Sequence, residues 1–152
     1  MGFSWKGLLI TALVLFPNVL FVLLPKQNFP SNLRDGGLFI NILEHGSRII
    51  YFLLIIFMTK NNIVSHLSPF PFMMIACLIV YYILWIRYFT NGMDFRLLLD
   101  TVLSVPLPMA VFPILFLLFS ALWLHSVPLT ITSVLFAIGH LINSYIVYKQ
   151  AF

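Results

Sequence analysis

Charged side chains are scarce in this chain. They make up only 8% of its 152 residues, and only four of them are acidic, whereas about a quarter of the residues in a typical soluble domain are charged. Apolar residues reach 62% and form several uninterrupted runs, each long enough to cross a hydrocarbon core of about 30 Å as a helix. The weak alternation typical of a membrane β-barrel is missing. The sequence therefore predicts an all-α polytopic membrane helix bundle, whose first partner is the lipid bilayer.

Cysteine is nearly absent as well. Cys77 is the only one, so an intrachain disulfide and a cysteine-based metal site are both excluded. The eight basic residues lie mostly at the ends of apolar runs, where Lys and Arg anchor membrane helices. They form no contiguous basic face with interleaved aromatic residues, so no nucleic-acid partner is expected.

Five apolar segments are predicted to cross the membrane within a single domain that covers residues 1–152. The predicted spans are residues 7–24, 37–58, 72–89, 106–124 and 129–148. The first run lacks a small-residue cleavage site after it, so we interpret it as a retained helix rather than a signal peptide. Lys60, Asn61 and Asn62 end the second span, and residues 25–36 and 91–100 have the composition of loops.

Prolines and aromatic residues add detail to three of these spans. Pro17 leaves the carbonyl four residues before it without its helical partner, so this part of the first span should face protein. Pro106 and Pro108 cannot lie inside a smooth helix, and we expect a kink there. The end of the third span has a cluster typical of an interfacial aromatic belt. Its members are Tyr81, Tyr82, Trp85 and Tyr88.

The distribution of basic residues predicts the orientation. With five spans, the two termini lie on opposite sides of the membrane. The side with both loops and the C-terminus has Lys26, Arg34, Arg87, Arg96 and Lys149. The other side has Lys6 and Lys60. The positive-inside rule then predicts N-out and C-in for a multi-pass protein, in the cytoplasmic membrane if the source is bacterial.

A stripe of polar residues in the second span is the most informative feature of the sequence. At about 100° per residue, with Asn41 at zero, Glu44 falls near 300°, His45 near 40° and Arg48 near 340°. All four share an arc of about 100°. Buried charge is costly in a bilayer, so this arc should face the bundle interior or water. Glu44 and Arg48 also have the spacing and order that favour an intrahelical ion pair.

Other spans carry polar residues at a similar depth, with Asn18 in the first span and His140, Asn143 and Ser144 in the fifth. Ser133, Ala137, His140 and Ser144 also follow a spacing typical of a helix-packing face, which makes the fifth helix the expected neighbour of the stripe. The candidate ligand-binding residues are Asn18, Asn41, Glu44, His45, Arg48, His140, Asn143 and Ser144.

Three functions fit this polar layer. The first is binding or transport of a small amphipathic or anionic ligand, with Arg48 as the partner of its anionic group and with Glu44, His45 and His140 coupling to protons. Homo-oligomerisation is possible in this case. The second is a membrane enzyme that acts on a lipid or isoprenoid, with Glu44 or His45 as general base. The third is a non-catalytic membrane subunit in which the layer only fixes helix packing. The sequence does not assign catalytic residues.

No cofactor is predicted. A haem or metal site through His45 and His140 is an alternative, but neither a His-x-x-x-His nor a Glu-x-x-His spacing supports it. His66 and His125 lie in connections and are expected to be solvated.

Overall fold

The structure is a computed structural model that describes residues 2–30, 32–58, 68–102 and 104–151. These residues form five α-helices, α1 to α5, and no strand. The helices are Trp5–Leu23, Gly37–Phe57, Phe70–Thr90, Pro108–Trp123 and Val127–Ala151. Each agrees with a predicted span to within a few residues, so the all-α prediction is confirmed. Lys60, Asn61, Asn62 and His66 lie outside the described residues.

Length and composition separate one helix from the other four. α1, α2, α3 and α5 are long and apolar enough to cross a membrane. α4 is apolar but has only 16 residues, which at about 1.5 Å per residue is shorter than the hydrocarbon core. The protein is therefore a polytopic helical bundle in which α4 is the short member.

The α1–α2 connection, the α3–α4 connection and the C-terminal end of α5 meet at one end of the bundle, which we call the loop end. The backbone N–H of Gln27 donates to the Met93 carbonyl at 3.1 Å, and the N–H of Phe95 donates to the Gln27 carbonyl at 3.1 Å. From α5, Gln150 Nε2 donates to the Arg34 carbonyl at 2.7 Å. At the other end, here called the amino-terminal end, the N–H of Ser4 donates to the Ile56 carbonyl at 2.7 Å.

Three of the four aromatic residues of the predicted interfacial belt lie inside the bundle, which corrects that prediction. Tyr81, Trp85 and Tyr88 are buried, and Trp85 and Tyr88 pack against Phe21 of α1. The polar atoms explain part of this inward orientation. The Tyr82 hydroxyl donates at 2.9 Å to the carbonyl of Leu13, the carbonyl that Pro17 leaves without a helical donor. The prediction that this part of α1 faces protein is thereby confirmed.

Pro106 and Pro108 mark the start of α4 rather than a kink within it. α4 begins at Pro108, a position where a helix needs no N–H donor. Just before it, Ser104 and Leu107 have φ angles of 64° and 51°, in a left-handed region that ends any helical path. The Leu107 carbonyl then accepts from the N–H of Ala110 at 2.9 Å. The fourth helix therefore begins two residues later than predicted, at the loop end of the bundle.

Candidate functional site

A cavity of about 450 Å³ lies in the half of the bundle next to the loop end. Every helix contributes to its lining, which is mainly apolar. Examples are Phe21 from α1, Phe52 from α2, Trp85 from α3, Leu117 from α4 and Val147 from α5. Phe95, Leu98 and Leu99, from the short 3₁₀ helix Phe95–Leu98 and the residue after it, line the cavity at the loop end. Its volume lies in the range of small-molecule sites, about 300 to 1,000 Å³.

Glu44 is the centre of the polar part of this lining. One carboxylate oxygen, Oε1, accepts a hydrogen bond from Arg48 Nη2 and lies 2.9 Å from His140 Nδ1. The other, Oε2, accepts from Asn143 Nδ2 at 2.5 Å. We call Glu44, Arg48, His140 and Asn143 the Glu44 cluster. The predicted pairing of Glu44 with Arg48 and the predicted contact between α2 and α5 are both confirmed.

Gly139 is the residue that lets α5 approach the Glu44 cluster closely. A Cβ atom on Gly139 would lie 2.7 Å from the backbone nitrogen of Glu44 and 2.9 Å from its Cα. Real Cβ atoms do not approach backbone so closely, and a larger side chain would push the two helices apart. Because His140 and Asn143 follow within one turn, the same close contact brings both of them to the carboxylate.

Arg48 has hydrogen-bonding capacity beyond its pair with Glu44. Its guanidinium carbon lies 4.9 Å from the centre of the Phe136 ring, a cation–π distance. The Nε atom is buried and has no hydrogen-bond acceptor among the described residues. His140 packs on the same ring, with centroids 5.2 Å apart. Phe136 thus supports both cationic or potentially cationic side chains of the cluster.

A second polar pair lines the cavity from the side of α1 and α3. Asn18 Nδ2 donates to the Tyr81 hydroxyl at 2.8 Å and to the Val14 carbonyl at 2.9 Å. Both Asn18 and Tyr81 line the cavity. The cavity therefore has polar groups from two directions, although only the Glu44 cluster is charged.

Asn143 also connects the cluster to the loop end. Its Nδ2 donates to Asn41 Oδ1 at 2.9 Å, and its Oδ1 accepts from the Gly36 N–H at 2.8 Å. Asn41 Nδ2 in turn donates to Asp35 Oδ2 at 2.6 Å. Hydrogen bonds from Asn41 and from the Gly37 N–H lower the pKa of Asp35, which is outside the spans. Asn41 thus supports the cluster without lining the cavity.

Of the eight candidate residues, six line the cavity, and these are Asn18, Glu44, Arg48, His140, Asn143 and Ser144. His45 does not, which corrects the expectation that it shares the inward arc. Glu44, Ser47, Tyr51 and Ile55 are buried, and their mean direction is near 285° on the helical scale used above. His45 lies more than 100° from that direction and is exposed.

The orientation of His45 also bears on the haem or metal alternative. Because His45 points away from the cavity that His140 lines, the two imidazoles do not form a common site. Among the residues that the structure describes, there is also no group of three His, Cys, Asp or Glu side chains able to hold a metal ion. The exposed position of His125 agrees with the expectation that it is solvated.

The buried face of α5 is rotated by roughly 60° from the predicted packing face. Ser133 is buried as expected, but the other buried positions are Leu129, Phe136 and Gly139. The prediction followed small and polar residues and so missed Phe136, which is one turn before His140. A helical projection centred on Ser133 and His140 would have included it.

Comparisons with protein families, with curated proteins and with solved structures found no match to this chain. Its function therefore has to be argued from the chemistry of the site.

Proposed function

We propose that the protein binds a small amphipathic molecule in the cavity, with the polar head of the ligand at the Glu44 cluster and its apolar part against the surrounding side chains. The observation that carries this proposal is a mainly apolar cavity of about 450 Å³ with one charged cluster in its lining. An apolar site with a few convergent polar groups is the usual composition of a small-molecule pocket.

Unused hydrogen-bonding capacity supports binding over a purely structural role. A structural layer needs only groups that satisfy one another, whereas Arg48 Nε is buried without an acceptor among the described residues. A charged pair in a membrane bundle is also costly compared with apolar packing. Both observations are explained if a ligand completes the cluster.

The site gives weaker support to the other candidate functions. Both oxygens of Glu44 already accept hydrogen bonds from the cluster, and His45, the other candidate base, is exposed. His45 is therefore not placed to remove a proton from a substrate in the cavity. Transport would require access from both sides, and the cavity extends towards the loop end, where Leu33 and Leu99 line it.

Tryptophan fluorescence can test the proposal, because Trp85 lines the cavity and is one of only three tryptophans. A variant with Trp5→Phe and Trp123→Phe keeps Trp85 alone. In lipid nanodiscs, a decyl amphipath with a terminal bromine should quench Trp85 in a saturable manner, since bromine quenches on contact.

The matched control has Trp85→Phe and Trp123→Phe and keeps Trp5, which is 70% exposed at the amino-terminal end. Its quenching reports partition of the probe into the bilayer. Equal, non-saturable quenching of both variants would reject the proposal.

A further inference from the structure

We propose that the ligand is a single-chain carboxylate and that the Glu44–His140 pair takes up one proton when it binds. This inference rests on the proposed function, because it specifies the ligand class of the same cavity. Three features of the site carry it, namely the cavity volume, the surplus of hydrogen-bond donors and the balance of charge around Glu44.

The volume favours a ligand with one chain. A cavity of about 450 Å³ lies in the lower half of the range of small-molecule sites, about 300 to 1,000 Å³. A medium-length acyl chain with a compact head matches this size, whereas a two-chain phospholipid would have to extend out of the cavity.

The unused polar atoms favour an acceptor as the head group. Arg48 Nε is buried and has no acceptor among the described residues. His140 Nδ1 lies at hydrogen-bond distance from Glu44. In a neutral imidazole that donates from Nδ1, the other ring nitrogen, Nε2, is an acceptor, and it becomes a second donor only when the ring takes up a proton. A carboxylate is an acceptor with two oxygens and can bind such donors. A cationic head would leave the Arg48 donor unmatched and would lie beside the positively charged guanidinium.

Charge balance then requires a proton. The ionisable side chains that line the cavity together with Glu44 are Arg48 from α2, His140 from α5 and Tyr81 from α3, whereas α1 and α4 contribute none. The negative charge of Glu44 and the positive charge of Arg48 cancel. A bound carboxylate therefore adds one uncompensated negative charge beside Glu44. Two carboxylates in a site of low dielectric do not both stay ionised without another cation. One proton on the Glu44–His140 pair restores neutrality, and if Glu44 takes it, Arg48 is released to the ligand.

The test uses the protein with Trp85 as its only tryptophan and three brominated probes that share one decyl chain. These probes are 10-bromodecanoate, 10-bromodecan-1-ol and (10-bromodecyl)trimethylammonium. The carboxylate should quench Trp85 at the lowest concentration near pH 6. Its Kd should rise by up to about tenfold per pH unit towards pH 8, which corresponds to uptake of one proton. The alcohol should bind more weakly with no dependence on pH.

Glu44→Gln separates the proton on the protein from protonation of the probe itself. The variant has no carboxylate to neutralise, so it should bind 10-bromodecanoate more tightly than the wild type at pH 8, with a flatter pH profile. Arg48→Met should remove the preference for the carboxylate over the alcohol. Arg34→Met, at an exposed loop position, is the matched control and should change neither.

The outcomes distinguish this inference from the proposed function. If no probe quenches Trp85 beyond the Trp5 control, the proposed function fails and this inference fails with it. If the alcohol or the ammonium probe binds and the carboxylate does not, the function stands and the ligand class is wrong. If wild type and Glu44→Gln show the same pH dependence, the proton is not on the pair.

A double variant covers the case in which Glu44→Gln does not fold. Glu44→Gln combined with Arg48→Met should bind the alcohol and lose the preference for the carboxylate. Retention of that preference would overturn the inference.

Discussion

Two buried polar groups in opposite halves of the bundle use their hydrogen-bonding capacity differently. Towards the amino-terminal end, the Tyr51 hydroxyl lies 2.7 Å from the Leu117 carbonyl and 2.6 Å from Ser120 Oγ, and both side chains are fully buried. Towards the loop end, the Glu44 cluster is charged, lines a cavity and includes a buried donor with no acceptor among the described residues.

This comparison shows that polar burial alone does not mark a binding site. The Tyr51 group is neutral and closed, so it can be explained as a hydrogen bond that fixes how α2 packs on α4. The Glu44 cluster has more donors than it uses and empty volume beside them, which structural packing does not require. Substitutions in the two halves should therefore have different consequences.

The largest effect is expected from Glu44→Ala. This variant leaves Arg48 without its counter-ion inside the bundle, and it should lower the free energy of unfolding by about 3 kcal/mol. Unfolding in mixed micelles measures the change. Asp100→Ala is the control, because it removes the partner of Arg87 from a pair whose side chains are 35% and 44% exposed. Such a pair should contribute less than about 1 kcal/mol to the free energy of unfolding. Equal losses of stability in the two variants would show that the Glu44 cluster contributes no more than an exposed ion pair.

Gly139→Val should have the next largest effect. The added atoms meet the backbone of Glu44, and overpacking of this kind costs about 1 to 3 kcal/mol. Gly46→Val is a matched control on α2, because a Cβ there meets no atom within 4 Å. Thermal unfolding of the two variants, together with binding of the brominated probes, should show both stability and binding reduced only for Gly139→Val. A similar loss at Gly46 would contradict the close packing of α5 on Glu44.

A smaller effect is expected from Tyr51→Phe in the closed half. The Ser120 hydroxyl keeps its own bond to the Leu117 carbonyl at 2.8 Å, so the loss should be near 1 kcal/mol. Binding of the probes should not change, because Tyr51 does not line the cavity. Impaired binding in a stably folded Tyr51→Phe protein would show that the two halves are coupled.

The smallest effect concerns Asp35, which connects the cluster to the loop end through Asn41. Its pKa is lowered in the folded protein, first by the Asn41 amide and then by the Gly37 N–H. A lowered pKa means that the ionised form stabilises the fold, so this contribution is present above the usual pKa of 3.8 and is lost as the pH falls below it. Unfolding measured from pH 7 to pH 3 should show a steeper loss in wild type than in Asp35→Asn, and parallel curves would contradict this.

The helices and the main features of the site could be predicted because they follow from local patterns. Long apolar runs located the five helices, and the four-residue spacing identified the Glu44–Arg48 pair. Helical phase also indicated that α2 turns a polar face inwards. It could not fix the centre of that face, because the four polar residues alone do not reveal that Ser47 and Tyr51 share it. His45 was misplaced for this reason.

Features that depend on how helices meet could not be predicted. The importance of Gly139 comes from its distance to the backbone of another helix, which no local pattern encodes. Trp85 and Tyr88 have the composition of an interfacial belt, and only packing against Phe21 shows that they face inwards. The cavity likewise results from the arrangement of all five helices and has no signature in any one of them.

Anomalous diffraction from crystals grown with 10-bromodecanoate tests the central claim most directly. We expect a bromine peak within the cavity, in contact with its apolar lining, and density for the carboxylate beside Arg48 and His140. The Arg48→Met protein should lose the ordered carboxylate. Bromine peaks confined to the outer, exposed faces of the helices, with no bound chain beside the Glu44 cluster, would contradict the account and leave the cluster with a structural role alone.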